Sequence, residues 1–317
     1  MNQQKLTNKL GCIYHNLNMK NKKILILGSS GFLGSHLTKA LYKKNEVIQF
    51  DTESPPSLHT NSKFIQGSIL DNELVQRAME DVDIVYHFAA MTDLDIVNNN
   101  PAQAIEVNIA GTTNVLDTCI QENIERLIFS SSVYVYSKVG GVYKSTKQAC
   151  ELLIDDYDKM HGLNYTILQL GSVYGPGAKQ TNLISRLIKE ALTTDQFQHS
   201  GSGVEERQYI FVKDVVNASI NVANSQYKNK KVILLGSESV RISQLMEMIS
   251  SQLKKDIYKI FKKDGYRIHY KSSPFQTDPD GAIYYKLESP TPLKDGLRET
   301  IKFIQEELSN QSKTNNK

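Results

Sequence analysis

The sequence predicts an α/β fold, with a doubly wound parallel sheet followed by a smaller C-terminal lobe. Short, wholly apolar runs such as residues 24–27 alternate with helical patterns, and a glycine-bearing turn at residues 28–34 joins the first run to the first helix. Runs of this kind suit strands that are covered on both faces, and their alternation with helices indicates right-handed βαβ units. The 317 residues suffice for one large α/β domain, or for one domain with a smaller lobe.

The elements follow one another regularly as far as residue 170. Strands are predicted at residues 24–27, 46–50, 63–66, 84–88, 127–129 and 165–170. The first helix places Phe32, Leu37 and Leu41 on one side. Further helices are predicted at residues 72–80, 102–122, 143–161, 182–192, 215–223, 243–254 and 293–308. A turn-rich loop at residues 171–177 breaks this rhythm and separates the sheet from the lobe.

Composition and charge exclude several classes of partner. The net charge is +3, from 37 basic and 34 acidic residues, which gives no reason to expect nucleic acid or an acidic membrane. No apolar run approaches the roughly 20 residues needed to cross a bilayer. Cys12, Cys119 and Cys150 are scattered, so we expect neither a disulfide framework nor a metal site. This cysteine usage favours a reducing, cytoplasmic setting.

The turn after the first strand has the features of a dinucleotide site of the Rossmann type. Gly28, Gly31 and Gly34 let the backbone turn tightly and let a pyrophosphate approach, and the helix that starts at Phe32 and Leu33 offers free N–H groups to that anion. Asp51 ends the second strand, where a carboxylate can accept hydrogen bonds from both ribose hydroxyls. Because it would repel a 2′-phosphate, Asp51 favours NAD over NADP.

The glycine spacing, G-x-x-G-x-x-G, resembles that of the short-chain dehydrogenase/reductase superfamily, and later motifs are similar to those of its extended branch, the NAD-dependent epimerase/dehydratase family. The resemblance covers roughly residues 22–308. It implies cofactor contacts for residues that follow the third and fourth strands, namely Ser68, Ile69, Phe88, Ala89 and Ala90. It also implies that Asn108 helps to hold the active-site backbone. His87 is interpreted as a packed strand residue rather than a catalyst.

The family's reaction centre is Tyr-x-x-x-Lys with an upstream Ser or Thr, and this sequence contains the Tyr-x-x-x-Lys spacing five times. A lysine one helical turn from a tyrosine favours the phenolate of a group whose pKa is ordinarily near 10. Only Tyr143 opens a long helical pattern directly after the fifth strand, and Glu151 follows as it does in the family. The resemblance thus implies Tyr143 as acid/base, Lys147 as its cationic partner and ribose ligand, and Ser132 as binder of the substrate oxygen.

The four other occurrences lie in different settings. They are Tyr134/Lys138, Tyr209/Lys213, Tyr227/Lys231 and Tyr258/Lys262. The first lies in residues 133–136 and the second in another strand-like run, and we expect both segments to be extended. The third lies in a polar loop, and the fourth lies far beyond the sheet. None of these settings matches the start of a long helix after a strand.

The second half of the chain is similar to the substrate side of sugar-nucleotide members of the family. Arg207 lies in a stretch that those members place under the substrate diphosphate, where a guanidinium offers bidentate donors to phosphate. Asn182 and Leu183 match a substrate-contacting pair. Ser172 stands where many epimerases have an asparagine, and Gln169 replaces an arginine. These two differences leave the identity of the sugar open.

The resemblance therefore implies an NAD-dependent nucleotide-sugar epimerase, acting at C4 through a keto intermediate. A 4-keto-sugar reductase, a dehydrogenase of a non-sugar alcohol and a non-catalytic cofactor-binding regulator are the alternatives. The 4,6-dehydratases carry Asp-Glu after the active-site Thr, whereas this chain has Val133 and Tyr134 after Ser132. We expect a homodimer by analogy with the family. The expected regions are an extension (1–18), an NAD-binding domain (19–170), mainly a substrate-binding lobe (171–308) and a disordered tail (309–317).

Overall fold

The structure, a computed structural model, describes residues 19–262, 269 and 281–315. The predicted N-terminal extension, residues 1–18, lies outside the described residues. Within the described ranges, no helix combines the length and the apolar character that crossing a bilayer requires.

An eight-stranded sheet forms the centre of the fold, with strand order β13-β10-β6-β5-β4-β1-β2-β3 and every neighbouring pair parallel. Two smaller sheets, β11-β9-β7 and β12-β8, lie outside it. The strands are β1 (Lys23–Leu27), β2 (Glu46–Asp51), β3 (Ser62–Gln66), β4 (Ile84–His87), β5 (Arg126–Ser132), β6 (Tyr165–Leu170), β7 (Ser172–Tyr174), β8 (Gln196–His199), β9 (Glu206–Phe211), β10 (Lys230–Leu234), β11 (Ser239–Arg241), β12 (Tyr258–Phe261) and β13 (Ala282–Tyr284). All six strands predicted before residue 170 are confirmed.

Helices connect these strands. They are α1 (Phe32–Leu41), α2 (Asn72–Met79), α3 (Leu94–Asn99), α4 (Pro101–Ile105), α5 (Gly111–Gln121), α6 (Gly141–His161), α7 (Leu183–Thr193), α8 (Val212–Asn221), α9 (Ile242–Leu253) and α10 (Leu293–Asn315). A π-helical turn, Glu106–Ala110, joins α4 to α5, so the helix predicted at residues 102–122 is interrupted. Short 3₁₀ turns occur at Val133–Tyr136 and Ser225–Tyr227.

Helices cover both faces of the main sheet. Leu25 and Leu27 of β1 pack in one cluster with α2, α5 and α6, whereas Ile24 and Ile26 pack in another with α1 and α8. This division follows from the alternation of side chains along a strand. It explains why β1 is apolar at successive positions, and it confirms the predicted doubly wound architecture.

The C-terminal half supplies a lobe with its own core and also returns to the main sheet. Leu187 of α7, Leu245 of α9 and Leu297 of α10 pack together with residues of β7 and β9. Two strands from beyond residue 170, β10 and β13, join the main sheet, with β10 next to β6. The main sheet therefore includes strands from beyond residue 170, and pairing with β10 covers the edge that β6 would otherwise expose.

Two local predictions are wrong. Val133–Tyr136 is a 3₁₀ turn instead of an extended segment: Ser132 Oγ accepts from the Tyr134 amide at 3.3 Å, and the Ser137 amide donates to the Tyr134 carbonyl at 2.9 Å. These local bonds outweigh the strand preference of the β-branched and aromatic side chains. The tail predicted to be disordered from residue 309 is helical as far as Asn315, because it continues α10.

Candidate active site

The glycine loop packs closely against the end of β4. Gly28 has φ +85°, and a Cβ on it would lie 2.6 Å from the Ala89 amide nitrogen. A Cβ on Gly34 would lie 2.1 Å from the Gly28 carbonyl oxygen. Gly31 is the N-cap of α1 and makes no side-chain cap, and the first turn carries no acidic residue. The N–H groups that open α1 are therefore available to an anion, which fits the pyrophosphate of a dinucleotide.

Asp51 lies beside this loop with its carboxylate held in place. Its Oδ2 accepts from the Ser30 amide at 2.9 Å, and its Oδ1 accepts from the Glu53 amide at 3.1 Å. A fixed negative charge here fits ribose hydroxyls and disfavours a 2′-phosphate. The structure thus places the residue predicted to select NAD next to the loop predicted to hold the pyrophosphate.

The other predicted cofactor residues line the same edge of the sheet to different extents. Phe88 follows β4 and packs edge-on against Tyr86, with ring centroids 5.8 Å apart. Ser68 lies in a turn in which its Oγ accepts from the Leu70 amide at 3.2 Å. Ile69 is buried against α5, since a Cβ on Gly111 would lie 2.6 Å from its Cδ1. Cofactor contact by Ser68, Ile69, Phe88, Ala89, Ala90, Phe32 and Leu33 stays a prediction.

The three residues predicted to carry the chemistry lie together where α6 packs on the end of β5. Tyr143 and Lys147 are buried on one face of α6, and Ser132 is the buried last residue of β5. Lys147 Nζ donates to the Ser130 carbonyl at 2.7 Å and lies 4.6 Å from the centre of the Phe129 ring. These two contacts satisfy an ammonium group whose residue is only 2% exposed.

Burial dominates the ionisation of this pair. It raises the pKa of Tyr143 to about 12, against a hydrogen bond with Ser132 that acts in the opposite direction. Burial lowers the pKa of Lys147 to about 8, while Cys150 and Glu151 oppose that change. At neutral pH the phenol therefore keeps its proton and most Lys147 side chains are charged. A proton donor and a fixed cation thus lie side by side.

Asn108 connects the first turn of α6 to the segment that follows β4. Its Oδ1 accepts from the Met91 amide at 2.8 Å, and its Nδ2 donates to the Met91 carbonyl at 3.0 Å and to Thr146 Oγ1 at 3.1 Å. Thr146 Oγ1 in turn donates to the Tyr143 carbonyl at 2.9 Å. The buried amide therefore joins α6 to the backbone that follows β4. Contacts of this kind fit the role that the family resemblance implies.

His87 is packed in the sheet. Its Nε2 lies 3.0 Å from Thr112 Oγ1, whose hydroxyl is used as a donor to the Asn108 carbonyl, so His87 donates in this contact. Burial, and secondarily the charge of Lys147, lowers the pKa of His87 to about 3. The imidazole is therefore neutral, and its buried position agrees with its interpretation as a packed strand residue.

The predicted substrate residues lie outside the main sheet, on β7, β9 and the start of α7. Arg207 on β9 is only 5% exposed, and its Nη1 donates to the Glu206 carbonyl at 2.8 Å. Ser172 begins β7, the neighbouring strand. Asn182 caps α7 through Ile184 and also donates to the Val173 carbonyl at 2.8 Å, so its side chain already has backbone partners. Leu183 packs against the lobe core. Substrate contact by these residues stays a prediction.

The sequence did not predict that Tyr134 and His269 lie near the site. Tyr134 packs edge-on against Tyr143 with ring centroids 6.2 Å apart, and its hydroxyl lies 3.0 Å from His269 Nδ1. Since the two partners are far apart in the chain, no local pattern could have revealed this contact. Among the residues that the structure describes, no group of three or more His, Cys, Asp or Glu side chains is arranged to hold a metal ion.

Comparison with known proteins identifies the fold and its relatives. The family model for the NAD-dependent epimerase/dehydratase family matches residues 24–236. A UDP-N-acetyl-alpha-D-glucosaminuronate decarboxylase of Bacillus cytotoxicus is 27% identical, over 90% of this chain and 98% of the relative. A dTDP-D-glucose 4,6-dehydratase of Bos taurus is 26% identical, over 91% of this chain and 90% of the relative. The solved UDP-N-acetylglucosamine 4-epimerase of Methanobrevibacter ruminantium superposes with a TM-score of 0.82 at 27% identity, covering 91% of this chain and all of the other.

The carboxylate of Asp51 predicts cofactor selectivity. In Asp51→Ala we expect NAD to bind about tenfold more weakly or worse, because charge-assisted hydrogen bonds to the ribose are lost. NADP should lose less affinity or gain some, because repulsion of its 2′-phosphate disappears. Titration calorimetry with both cofactors measures the ratio of the two dissociation constants. Asp256→Asn, at an exposed site in the lobe, is the control. Equal losses for NAD and NADP would contradict the assignment.

Proposed function

Since this chain belongs to the NAD-dependent epimerase/dehydratase family, we propose that it is a nucleotide-sugar epimerase that inverts a sugar carbinol, with C4 as the reacting carbon. The observation that carries the proposal is the buried group of Ser132, Tyr143 and Lys147, which lies at the same edge of the main sheet as the glycine loop. Its relatives act on nucleotide sugars, as their names state, which supports the same substrate class here.

Ser132, Tyr143 and Lys147 would each have a separate role in this reaction. Bound NAD would supply a hydride acceptor that returns the hydride after the keto sugar has presented its other face, so no net oxidation would result. Ser132 would hold the substrate oxygen. The phenolate form of Tyr143, a minor species at neutral pH that the charge of Lys147 favours, would take the hydroxyl proton as the carbon is oxidised, and the phenol would give it back on reduction. Lys147 remains charged and stabilises negative charge on the phenol.

The residues next to Ser132 argue against a dehydratase. Elimination of water needs an acid and a base, and the 4,6-dehydratases supply them as Asp-Glu after the active-site Thr. Here Val133 has no ionisable group, and the Tyr134 hydroxyl lies against His269. This arrangement favours reversible oxidation over elimination, although one of the relatives is a dehydratase.

The first test of the proposed function removes the hydroxyl group of Tyr143. In Tyr143→Phe we expect turnover to fall by roughly 10²- to 10⁴-fold, because proton transfer to and from the substrate oxygen is lost. NAD should remain bound, since the loop at residues 28–34 is untouched. Product formation from a nucleotide sugar and the cofactor content of the purified protein are the measurements.

Tyr258→Phe is the matched control, because Tyr258 belongs to another Tyr-x-x-x-Lys sequence and its side chain is exposed. Turnover near that of the unmodified enzyme in Tyr143→Phe would reject the assignment.

Arg207 distinguishes a nucleotide sugar from a non-sugar alcohol. A buried guanidinium in the lobe is suited to a diphosphate, so Arg207→Met should weaken binding of a nucleotide sugar by about 10- to 100-fold. NAD binding should not change. Arg298→Met, at an exposed site on α10, is the control. Unchanged affinity in the Arg207 variant would favour a dehydrogenase of another alcohol.

We also propose a homodimer formed through α4, α5 and α6. Ile105, Leu152 and Met160 expose 50%, 63% and 64% of their surface on α4 and α6. A second copy that covers these side chains would remove apolar surface from water. Leu152→Glu should convert the dimer to a monomer in light scattering, whereas Leu58→Glu, at an equally exposed leucine outside these helices, should not. A monomeric unmodified protein would contradict the proposal.

The cysteines support the proposal of a cytoplasmic location. Cys119 and Cys150 are buried and free in the described structure. Free buried thiols are typical of proteins in a reducing compartment.

A further inference from the structure

We propose that Glu151 and Lys231 form a positioning pair behind the reaction centre, which keeps Lys147 charged and holds the end of β5 in place. This inference rests on the proposed function, because it concerns how Lys147 is maintained for that reaction. Neither member of the pair is assigned to contact substrate or cofactor.

Successive turns of α6 present Tyr143, Lys147 and Glu151 to the end of β5. Tyr143 meets the last serine of β5, and Lys147 Nζ donates to the carbonyl of Ser130 at 2.7 Å. Glu151, one turn further, accepts a hydrogen bond from Ser131 Oγ. Three neighbouring residues of one strand are thereby fixed by three turns of one helix. A shift of Glu151 would be passed to Ser130, the acceptor of Lys147.

Glu151 is in contact with Gln169, which is neutral, and with the cation Lys231. Gln169 Nε2 donates to both carboxylate oxygens, at 3.1 and 3.0 Å, and Gln169 Oε1 accepts from the Tyr136 hydroxyl at 2.8 Å. Lys231 Nζ on β10 lies 3.7 Å from Glu151 Oε2 and 2.8 Å from Asp155 Oδ2. Because Gln169 is neutral, Lys231 supplies the positive charge that a buried carboxylate needs.

The charge of Lys231 affects the pKa of Lys147 indirectly, through the ionisation of Glu151. Burial raises the pKa of Glu151, and the donors Ser131 and Gln169 together with the charge of Lys231 oppose this, while Asp155 adds to it. Burial lowers the pKa of Lys147, and Cys150 and then an ionised Glu151 raise it. Loss of the Lys231 charge would favour protonation of Glu151. Lys147 would then lose its proton at a lower pH.

The test is the pH dependence of kcat/KM for epimerisation. Activity falls on the alkaline side as Lys147 loses its charge, and in Lys231→Met this alkaline limb should move by roughly one unit to lower pH. Lys231→Arg keeps the cation and should restore the original limb. Lys230→Met, at the exposed neighbouring position of β10, should leave the profile unchanged.

Glu151→Gln provides a second variant that keeps the size of the side chain and removes its charge. It should shift the limb in the same direction as Lys231→Met, and the double variant should shift no further than Glu151→Gln alone, because both substitutions act through one charge. Reduced activity with an unshifted pH profile in both single variants would show a merely structural role and overturn the inference.

The inference can be tested even where the proposed function fails. The pKa of Lys147 can be followed directly by NMR titration of labelled lysine side chains in the NAD-bound protein, with the signal identified by its loss in Lys147→Met. A lower pKa of Lys147 in Lys231→Met supports the pair without any turnover. An unchanged pKa overturns it, whether or not the protein proves to be an epimerase.

Discussion

The packing of α6 against the carboxyl end of β5 is the contact on which the site depends. It buries a lysine ammonium that would be costly without partners, and the Ser130 carbonyl and the face of Phe129 provide them. The same packing buries Tyr143 next to the end of the strand, so the phenol and the cation share one environment with little water. If α6 packed more loosely on β5, water would reach Tyr143 and Lys147. Their pKa values would then be closer to the ordinary ones, and their side chains would have no defined geometry toward a substrate.

Parallel topology brings the glycine loop to the same edge of the main sheet as this contact. The turn after β1, the segment after β4 and the end of β5 all lie at the carboxyl edge of neighbouring strands, because β1, β4 and β5 are adjacent and parallel. In open sheets of this kind, ligands bind outside the carboxyl ends of the strands. Arg207, predicted to bind the substrate diphosphate, lies on β9, a strand of a different sheet. The residues predicted to bind cofactor and those predicted to bind substrate are thus carried by separate parts of the fold.

Much of this arrangement could be predicted from sequence, because its signals are local. The apolar strands, the glycine loop and Asp51 form a continuous pattern, and Tyr143 could be chosen among five equivalent spacings only from the strand and helix around it. The turn at Val133–Tyr136 could not be predicted from sequence. The hydrogen bond from the Tyr134 amide to Ser132 Oγ outweighs the strand preference of the residues in this turn. Long-range pairings also escaped prediction: the β10 strand beside β6, the contact of Tyr134 with His269, and the Gln169–Glu151–Lys231 cluster.

The most direct test of the central claim is to incubate the purified protein with a panel of nucleotide sugars. The sugar products are followed by NMR, and reduced nicotinamide is followed by its absorbance. We expect one of the sugars to be converted to its C4 epimer over many turnovers, without net accumulation of reduced nicotinamide. Absence of any epimer, or change of sugar only in step with oxidation or reduction of added nicotinamide, would contradict the account.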